Sequence, residues 1–184
     1  MTILVTGATG TVGRHVVEQL VQRGQPVRAI SRNPKRANLP ESVEVISADL
    51  NNSGTLKQAL QDVMSMFLIV SSDQANANLQ TDPKIVKMAE EAGVQKITVL
   101  VGFEEGPVED ALKNSKMKWT LLKPTEFMSN VLEDWKESIR SEGMIQEPFG
   151  DAQSARVHEA DIASVAVTAL LEDGHEGKSY PLLA

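Results

Sequence analysis

The opening stretch, Met1-Thr-Ile-Leu-Val-Thr-Gly-Ala-Thr-Gly-Thr-Val-Gly13, restricts the fold more than any other part of the chain. Met1–Thr6 is rich in β-branched residues and reads as a short buried strand. Gly7, Gly10 and Gly13 follow at a GxxGxxG spacing. From Val12 the apolar residues Val16, Val17, Leu20 and Val21 recur at helical steps until Gly24 ends the run. A strand that turns through glycines into a helix suits a pyrophosphate. Gly7 permits the tight turn, Gly10 lets backbone approach the ligand, and Gly13 lets the helix pack on the strand. The helix start offers unpaired N–H groups and the positive end of its dipole. The same turn also occurs in folds that bind nothing, so its context decides. Here it stands between a strand and a helix, as a dinucleotide site requires.

The second strand, Gln25–Ile30, leads into Ser31-Arg-Asn-Pro-Lys-Arg36. Folds that hold NAD place an acid near here, about 20 residues after the glycines, on the ribose 2′-hydroxyl. This chain has Arg32 instead, preceded by Ser31 and followed by Lys35 and Arg36. A carboxylate repels a 2′-phosphate and a guanidinium pairs with it, so the expected cofactor is NADP(H). Arg14 could reach the same phosphate from the first helical turn. The competing reading of this basic segment is a solvated turn around Asn33-Pro34.

Strands and helices continue to alternate. Strands are expected at Ser42–Ser47, Met64–Val70, Lys96–Val101 and Trp119–Leu122. Helices are expected through Leu56, Ala59 and Leu60 behind Asn52 or Ser53, and through Ile85, Val86 and Ala89 behind Thr81 or Asp82 with Pro83 at its first position. Further helices are read at Ser129–Arg140 and Glu159–Leu171, and strand five passes through Gly102–Pro107 almost directly into Val108–Ser115. This order predicts an α/β fold, a doubly wound parallel sheet of Rossmann type in three α/β/α layers. Ligands of such sheets bind beyond the carboxyl ends of the strands. The strand ends that matter are therefore Gly7–Gly13 (with Ala8, Thr9, Thr11 and Val12), Ser31–Arg32, Asp49–Leu50, Val70–Ser72, Val101–Phe103 and Lys123–Phe127. Asp49 can accept from an adenine amino group while Leu50 packs the ring, or it can be an ordinary turn and capping residue.

Composition narrows the classes. A chain of 184 residues, 41% hydrophobic and 23% charged, fits one compact domain over 1–184. A net charge of −7 disfavours a nucleic-acid partner. No apolar run is long enough for a membrane span, and no signal-peptide pattern precedes the first strand, so a cytoplasmic protein is expected. There is no cysteine, and three scattered histidines make no metal site. His15, His158 and His175 read as a packing residue, a turn stabiliser and a solvated residue. Trp119 and Trp135 read as packing residues. Glu104-Glu105, Glu133-Asp134 and Glu90-Glu91 read as solvated faces, and residues 73–80 as a mobile loop beside the cleft.

Several segments together resemble the NmrA-like, atypical branch of the short-chain dehydrogenases and reductases. They are TGATGTVGRHVVEQL, AISRNPKR, the ADL after the third strand, WTLLKPTEFMSN and HEADIASVAVTALLEDGHEGKSYPL. The family includes NADPH-dependent quinone and dye reductases as well as regulators that bind the dinucleotide and reduce nothing. The resemblance implies that Gly7, Thr9, Gly10, Val12 and Gly13 hold the pyrophosphate and Arg32 the 2′-phosphate. It implies that Asp49 and Leu50 flank adenine, and that Ser71 and Ser72 line the ribose. Lys123, Pro124, Thr125, Glu126 and Phe127 would lie near the nicotinamide, with Phe103, Phe127 and Met128 forming an apolar substrate pocket.

The chain departs from the wider superfamily in its acid. The usual Tyr-x-x-x-Lys pair is missing, because the single tyrosine, Tyr180, lies in the late GKSYPL strand with no lysine after it. The segment after Gly102 is short, and little or no separate substrate domain is expected before Ala184. Two functions follow. One is an NADPH-dependent reductase of a quinone or other conjugated carbonyl, with its catalytic residues unidentified. The other is a non-catalytic NADP(H)-binding sensor acting through a protein partner. A homodimer is compatible with both.

Overall fold

Strand pairing carries the architecture. In the computed structural model, which describes residues 2–70, 81–102, 105–145 and 155–183, every strand pairing is parallel. The chain runs β1 (Thr2–Val5), α1 (Gly13–Gln22), β2 (Val27–Ser31), β3 (Glu44–Ser47), β4 (Val63–Ile69), α2 (Lys84–Glu91) and β5 (Lys96–Leu100). It continues with α3 (Pro107–Lys113), β6 (Lys118–Pro124), α4 (Asn130–Asp134), α5 (Lys136–Glu142), α6 (Glu159–Leu171) and β7 (Lys178–Leu182). The seven strands lie in the order β3-β2-β1-β4-β5-β6-β7. The order reverses between β1 and β4, and a crevice opens at such a switch point beyond the carboxyl ends.

Successive strand residues face opposite layers. Leu4, Met66, Leu68, Val99 and Leu121 join a core with α2 and α3, through Ile85, Val86, Val108 and Leu112. Ile3, Val5, Phe67, Leu100 and Leu122 join a second core with α1 and α6, through Val16, Val17, Leu20, Ile162 and Ala166. Both faces of the sheet are covered, which is why its strands read as apolar runs. Gln19 Nε2 donates to the Ala160 carbonyl at 2.9 Å and ties α1 to α6.

Two helical expectations are corrected. Behind Asn52 only a 3-10 turn forms, over Ser53–Leu56. Gly54 weakens any longer helix, and Asp62, with φ 58°, turns the chain directly into β4. Leu56, Ala59 and Leu60 are nevertheless buried. The single helix expected over Ser129–Arg140 is broken at Trp135 into α4 and α5. Leu132 and Ile139 on these helices are 64% and 48% exposed, not packed. No helix among the described residues is long and apolar enough to cross a membrane.

Candidate functional site

The glycine turn sits at the switch point. Thr6, fully buried at the end of β1, donates its N–H to the Phe67 carbonyl and accepts the Ile69 N–H on Oγ1, at 3.0 and 2.9 Å. These bonds fasten the start of the turn to the end of β4. Gly7 then takes φ +60°, and the Gly10 N–H donates to its carbonyl at 2.9 Å. Gly13 is buried where α1 begins, and a Cβ there would overlap the Gly7 carbonyl oxygen. A Cβ on Gly7 would run into Ile69. The glycines therefore do what their spacing suggests: a left-handed turn, and a helix start with no room for a side chain.

The two helices packed together on this face end differently. At α6, the His158 side chain accepts the Ala160 N–H and the first turn carries Glu159 and Asp161. At α1, Val12 supplies no capping side chain and the first turn holds no acid. An α-helix leaves its first N–H groups without intrahelical partners. α6 has a side-chain cap and acids in its first turn, whereas at α1 the Arg14 and His15 N–H groups bond only to the Gly10 and Val12 carbonyls and no acid stands beside the glycine turn. This geometry suits a diphosphate.

Arg32 lies just beyond β2 and is exposed, and among the described residues no carboxylate or carbonyl pairs with its guanidinium. Arg14, Lys35 and Arg36 are also exposed. Ser31 Oγ accepts the Asn33 N–H at 3.1 Å and shapes this turn. Asp49 accepts the Asn51 N–H on Oδ1 at 3.0 Å, so one carboxylate oxygen serves its own turn. Leu50 is 6% exposed and belongs to the core. Val70 is half-buried beside β5. Ser71, Ser72, residues 73–80 and Phe103 lie outside the described residues.

Beyond β6, Phe127 bridges to Val157 and packs partly into the α1–α6 core, while Met128 is 43% exposed. Pro124 is half-buried at the end of β6. Glu126 pairs with Arg156 at 2.9 Å, and that guanidinium stacks 4.5 Å from the Trp135 ring. Buried Glu159 accepts the Ser129 N–H at 2.9 Å and anchors the segment after β6 to α6. Burial pushes the Glu159 carboxyl up, but the hydrogen bonds from Ser129, its own backbone N–H and the neighbouring His158 together outweigh it and the net shift is downward.

Three readings of isolated residues change. Glu105 is not a solvated face: it accepts from both Lys113 and Lys123. Those lysines, Lys113 first, hold its carboxyl below the usual carboxylate range. Glu90 accepts the Lys116 N–H at 2.7 Å. His175 is half-buried, with Nδ1 2.9 Å from the Tyr180 hydroxyl. Tyr180 thus braces the loop before β7, and the residue four positions after it is Ala184, not the lysine of a Tyr-x-x-x-Lys pair. Neither the Glu105 bridge nor the Glu159 anchor has a periodic signature, because each joins residues brought together only by the sheet. No cluster among the described residues could hold a metal ion.

A depression of about 390 Å³ lies at the opposite, amino edge of the sheet, lined by Gln25, Gln95, Lys96, Lys118 and Asp173. Both of its lysines face Asp173, at 3.4 and 3.9 Å, and the glycine turn contributes nothing to it.

Comparison with known proteins places the chain in a family. The NmrA-like family model matches residues 1–99. The chain is 38% identical to a (4-alkanoyl-5-oxo-2,5-dihydrofuran-3-yl)methyl phosphate reductase of Streptomyces griseus, over 97% of this chain and 66% of that protein. It is 31% identical to quinone oxidoreductase 2 of Escherichia coli, over 98% of this chain and 68% of that one. The chain thus spans about two thirds of the length of these curated relatives. Among solved structures, the Citrobacter sp. triphenylmethane reductase complexed with NADP(H) superposes with a TM-score of 0.84 at 28% identity, over 100% of this chain and 70% of that one. With the family model over more than half of the sequence, and this likeness in fold and in chain, the protein belongs to the NmrA-like family.

Proposed function

We propose that the chain is an NADPH-dependent reductase of a small acceptor, a quinone or another conjugated carbonyl. The observation that carries this reading is the pairing of a helix start without side-chain cap or acid, packed on glycine at the switch point, with a guanidinium beyond β2 that no described side chain neutralises. The first suits a pyrophosphate and the second a 2′-phosphate. The names of the relatives, a phosphate-bearing furanone reductase and a quinone oxidoreductase, support the same class of acceptor. So does the NADP(H) in the solved dye reductase.

In this reading the backbone of Gly7, Ala8, Thr9, Gly10, Thr11, Val12 and Gly13 holds the diphosphate. Arg32, with Ser31, takes the 2′-phosphate. Asp49 and Leu50 stand on the adenine side and Val70 on the ribose side. With the adenosine half over β1–β3, the other half extends over the ends of β4–β6, where Lys123 and Pro124 border it. Phe127 and Met128 give the acceptor an apolar surface. When bound, the reduced nicotinamide supplies a hydride; the protein binds, orients and excludes water.

Loss of NADPH absorbance with a panel of quinones, with NADH in parallel, tests the reading. Turnover with NADPH and little with NADH is expected. Tight NADPH binding by calorimetry with no turnover on any acceptor would overturn it in favour of a dinucleotide-binding regulator.

A further inference from the structure

Hydride addition to a conjugated carbonyl moves a π pair onto oxygen, and the resulting enolate or hydroquinone anion needs a proton or a nearby cation. This chain lacks the Tyr-x-x-x-Lys pair that would supply them. The structure holds a group of another kind at the right edge of the sheet. Lys123 is the penultimate residue of β6, at its carboxyl end, and shares a strand face with Leu121 toward α3. Its Nζ donates to one oxygen of Glu105, and Lys113 from α3 donates to the other. Two lysines share one carboxylate, and on the α3 side Asp110 and Glu109 also act on Lys113. Lys113 and then Lys123 hold the Glu105 carboxyl below its usual range, so both ion pairs persist at neutral pH.

The cluster is built rather than incidental. Gly106, next to Glu105, donates its N–H to Glu109 Oε2 at 2.8 Å. Glu109 is 2% exposed, and Pro107 sets the first turn of α3. Buried Glu109 thus fixes Gly106, the neighbouring Glu105 holds Lys123, and the Lys123 side chain still keeps 40% of its exposure. We propose that Lys123, positioned by Glu105, receives the oxyanion formed on the carbonyl acceptor and protonates it. The inference rests on the reductase reading. In this step a C–H bond forms on the acceptor from the hydride, the π pair moves to oxygen, and an Nζ–H bond gives way to an O–H bond. The nicotinamide is oxidised, the acceptor is reduced, and water returns a proton to the amine. An ammonium and a phenol-type oxygen hold a proton with similar strength, so the transfer runs without a large penalty.

The test uses 4-nitrophenol, whose phenolate absorbs visibly, titrated against the full chain with saturating NADP⁺. Wild type should lower the apparent pKa of the bound probe by about one unit, as a cation within a few ångströms does for an acid. Lys123→Gln should abolish that shift. Lys123→Arg should retain it while losing tenfold or more of quinone turnover, because a guanidinium keeps the charge and does not release the proton. No shift in wild type, or an equal shift in wild type and Lys123→Gln, overturns the proposal. A lysine that merely ties α3 to β6 would lower the melting temperature on substitution and leave the probe's titration unmoved, which also overturns it. NADPH consumption by wild type separates the two levels. No consumption with any quinone defeats the reductase reading and this inference with it. Consumption without a Lys123-dependent shift defeats this inference alone.

Discussion

Replacing Gly13 by alanine sets two opposed effects against each other, and the structure decides between them. In an open helix position the substitution stabilises by about 1 kcal/mol, through helix propensity. At Gly13 the added methyl overlaps the Gly7 carbonyl oxygen and comes within 3.1 Å of Ala8 Cα. Both obstacles are backbone and neither can yield easily. Gly7 is held at φ +60° with its carbonyl bonded to Gly10, and the preceding Thr6 is bonded to β4 on both sides. Overpacking of a rigid site costs about 1–3 kcal/mol. The clash is with main chain, so the upper part of that range applies and outweighs the propensity gain, leaving a net loss of about 1–2 kcal/mol. For a chain of this size that is a fall of roughly 2–8 °C in melting temperature. Relief requires α1 to withdraw from the turn, which carries its N–H groups away from the phosphates. NADPH affinity should therefore fall by more than tenfold. Thermal melts with and without NADPH, with calorimetry, measure both effects. Gly54→Ala serves as a control, since its added methyl meets only the Asn52 side chain, at 3.3 Å. A Gly13→Ala variant that melts with wild type and binds NADPH within threefold would refute the reasoning.

Other perturbations separate binding from folding. Arg32→Glu should weaken NADPH binding by roughly tenfold to a hundredfold, on the scale of one or two charge-assisted hydrogen bonds. It should leave the melting temperature unchanged, because Arg32 is exposed and no described side chain holds it; unchanged NADPH affinity in calorimetry would remove it from the site. His158→Ala should cost about 1 kcal/mol through loss of the bond from the Ala160 N–H, seen as a lower urea midpoint at unchanged slope. Acidification should destabilise the fold. The carboxyls of Asp82, bonded by the Lys84 N–H and Ser53, and of Glu105, bonded by Lys113 and Lys123, lie below their ordinary values. The unfolded chain therefore takes up protons first as pH falls, so stability present above the ordinary carboxylate range is lost as pH drops through the folded values. Melting temperatures between pH 7 and pH 3 should fall, and Glu105→Gln should flatten that limb; a curve indifferent to Glu105 would show that its ion pairs contribute nothing.

Much of this was legible in the sequence because it is local or periodic. The glycine spacing, the β-branched strand before it and the three- and four-residue apolar steps after it dictate the turn and α1 directly. The continuous apolar runs of β4 and β5 announce a sheet covered on both faces. The place of Arg32, just beyond the second strand, is legible from the strand pattern alone, and its proposed role rests on that position. What escaped was set by tertiary contact. The Glu105 bridge joins the loop after β5 to α3 and β6, across 8 and 18 positions of sequence. Thr6 reads as one more strand residue, and only the neighbouring β4 makes its hydroxyl a fastening. The helix expected behind Asn52 failed because a buried apolar set, Leu56, Ala59 and Leu60, is satisfied as well by a turn as by a helix when Gly54 lowers helical preference. The break at Trp135 was hidden for a related reason: its ring finds Arg156, a partner 21 positions away by residue number, and the contact is made outside the helix.

The last strand has a consequence for how this protein behaves in company. β7 forms one border of the sheet, and a border strand is a template on which another chain's strand can add. Here that template is poor. The strand is five residues long, its Lys178 is exposed and charged, and Pro181 removes one amide donor from the row. An incoming strand would meet a missing hydrogen bond and a cation to desolvate within a few residues. The border that completes the sheet beside β6 is thereby poorly suited to nucleating aggregation.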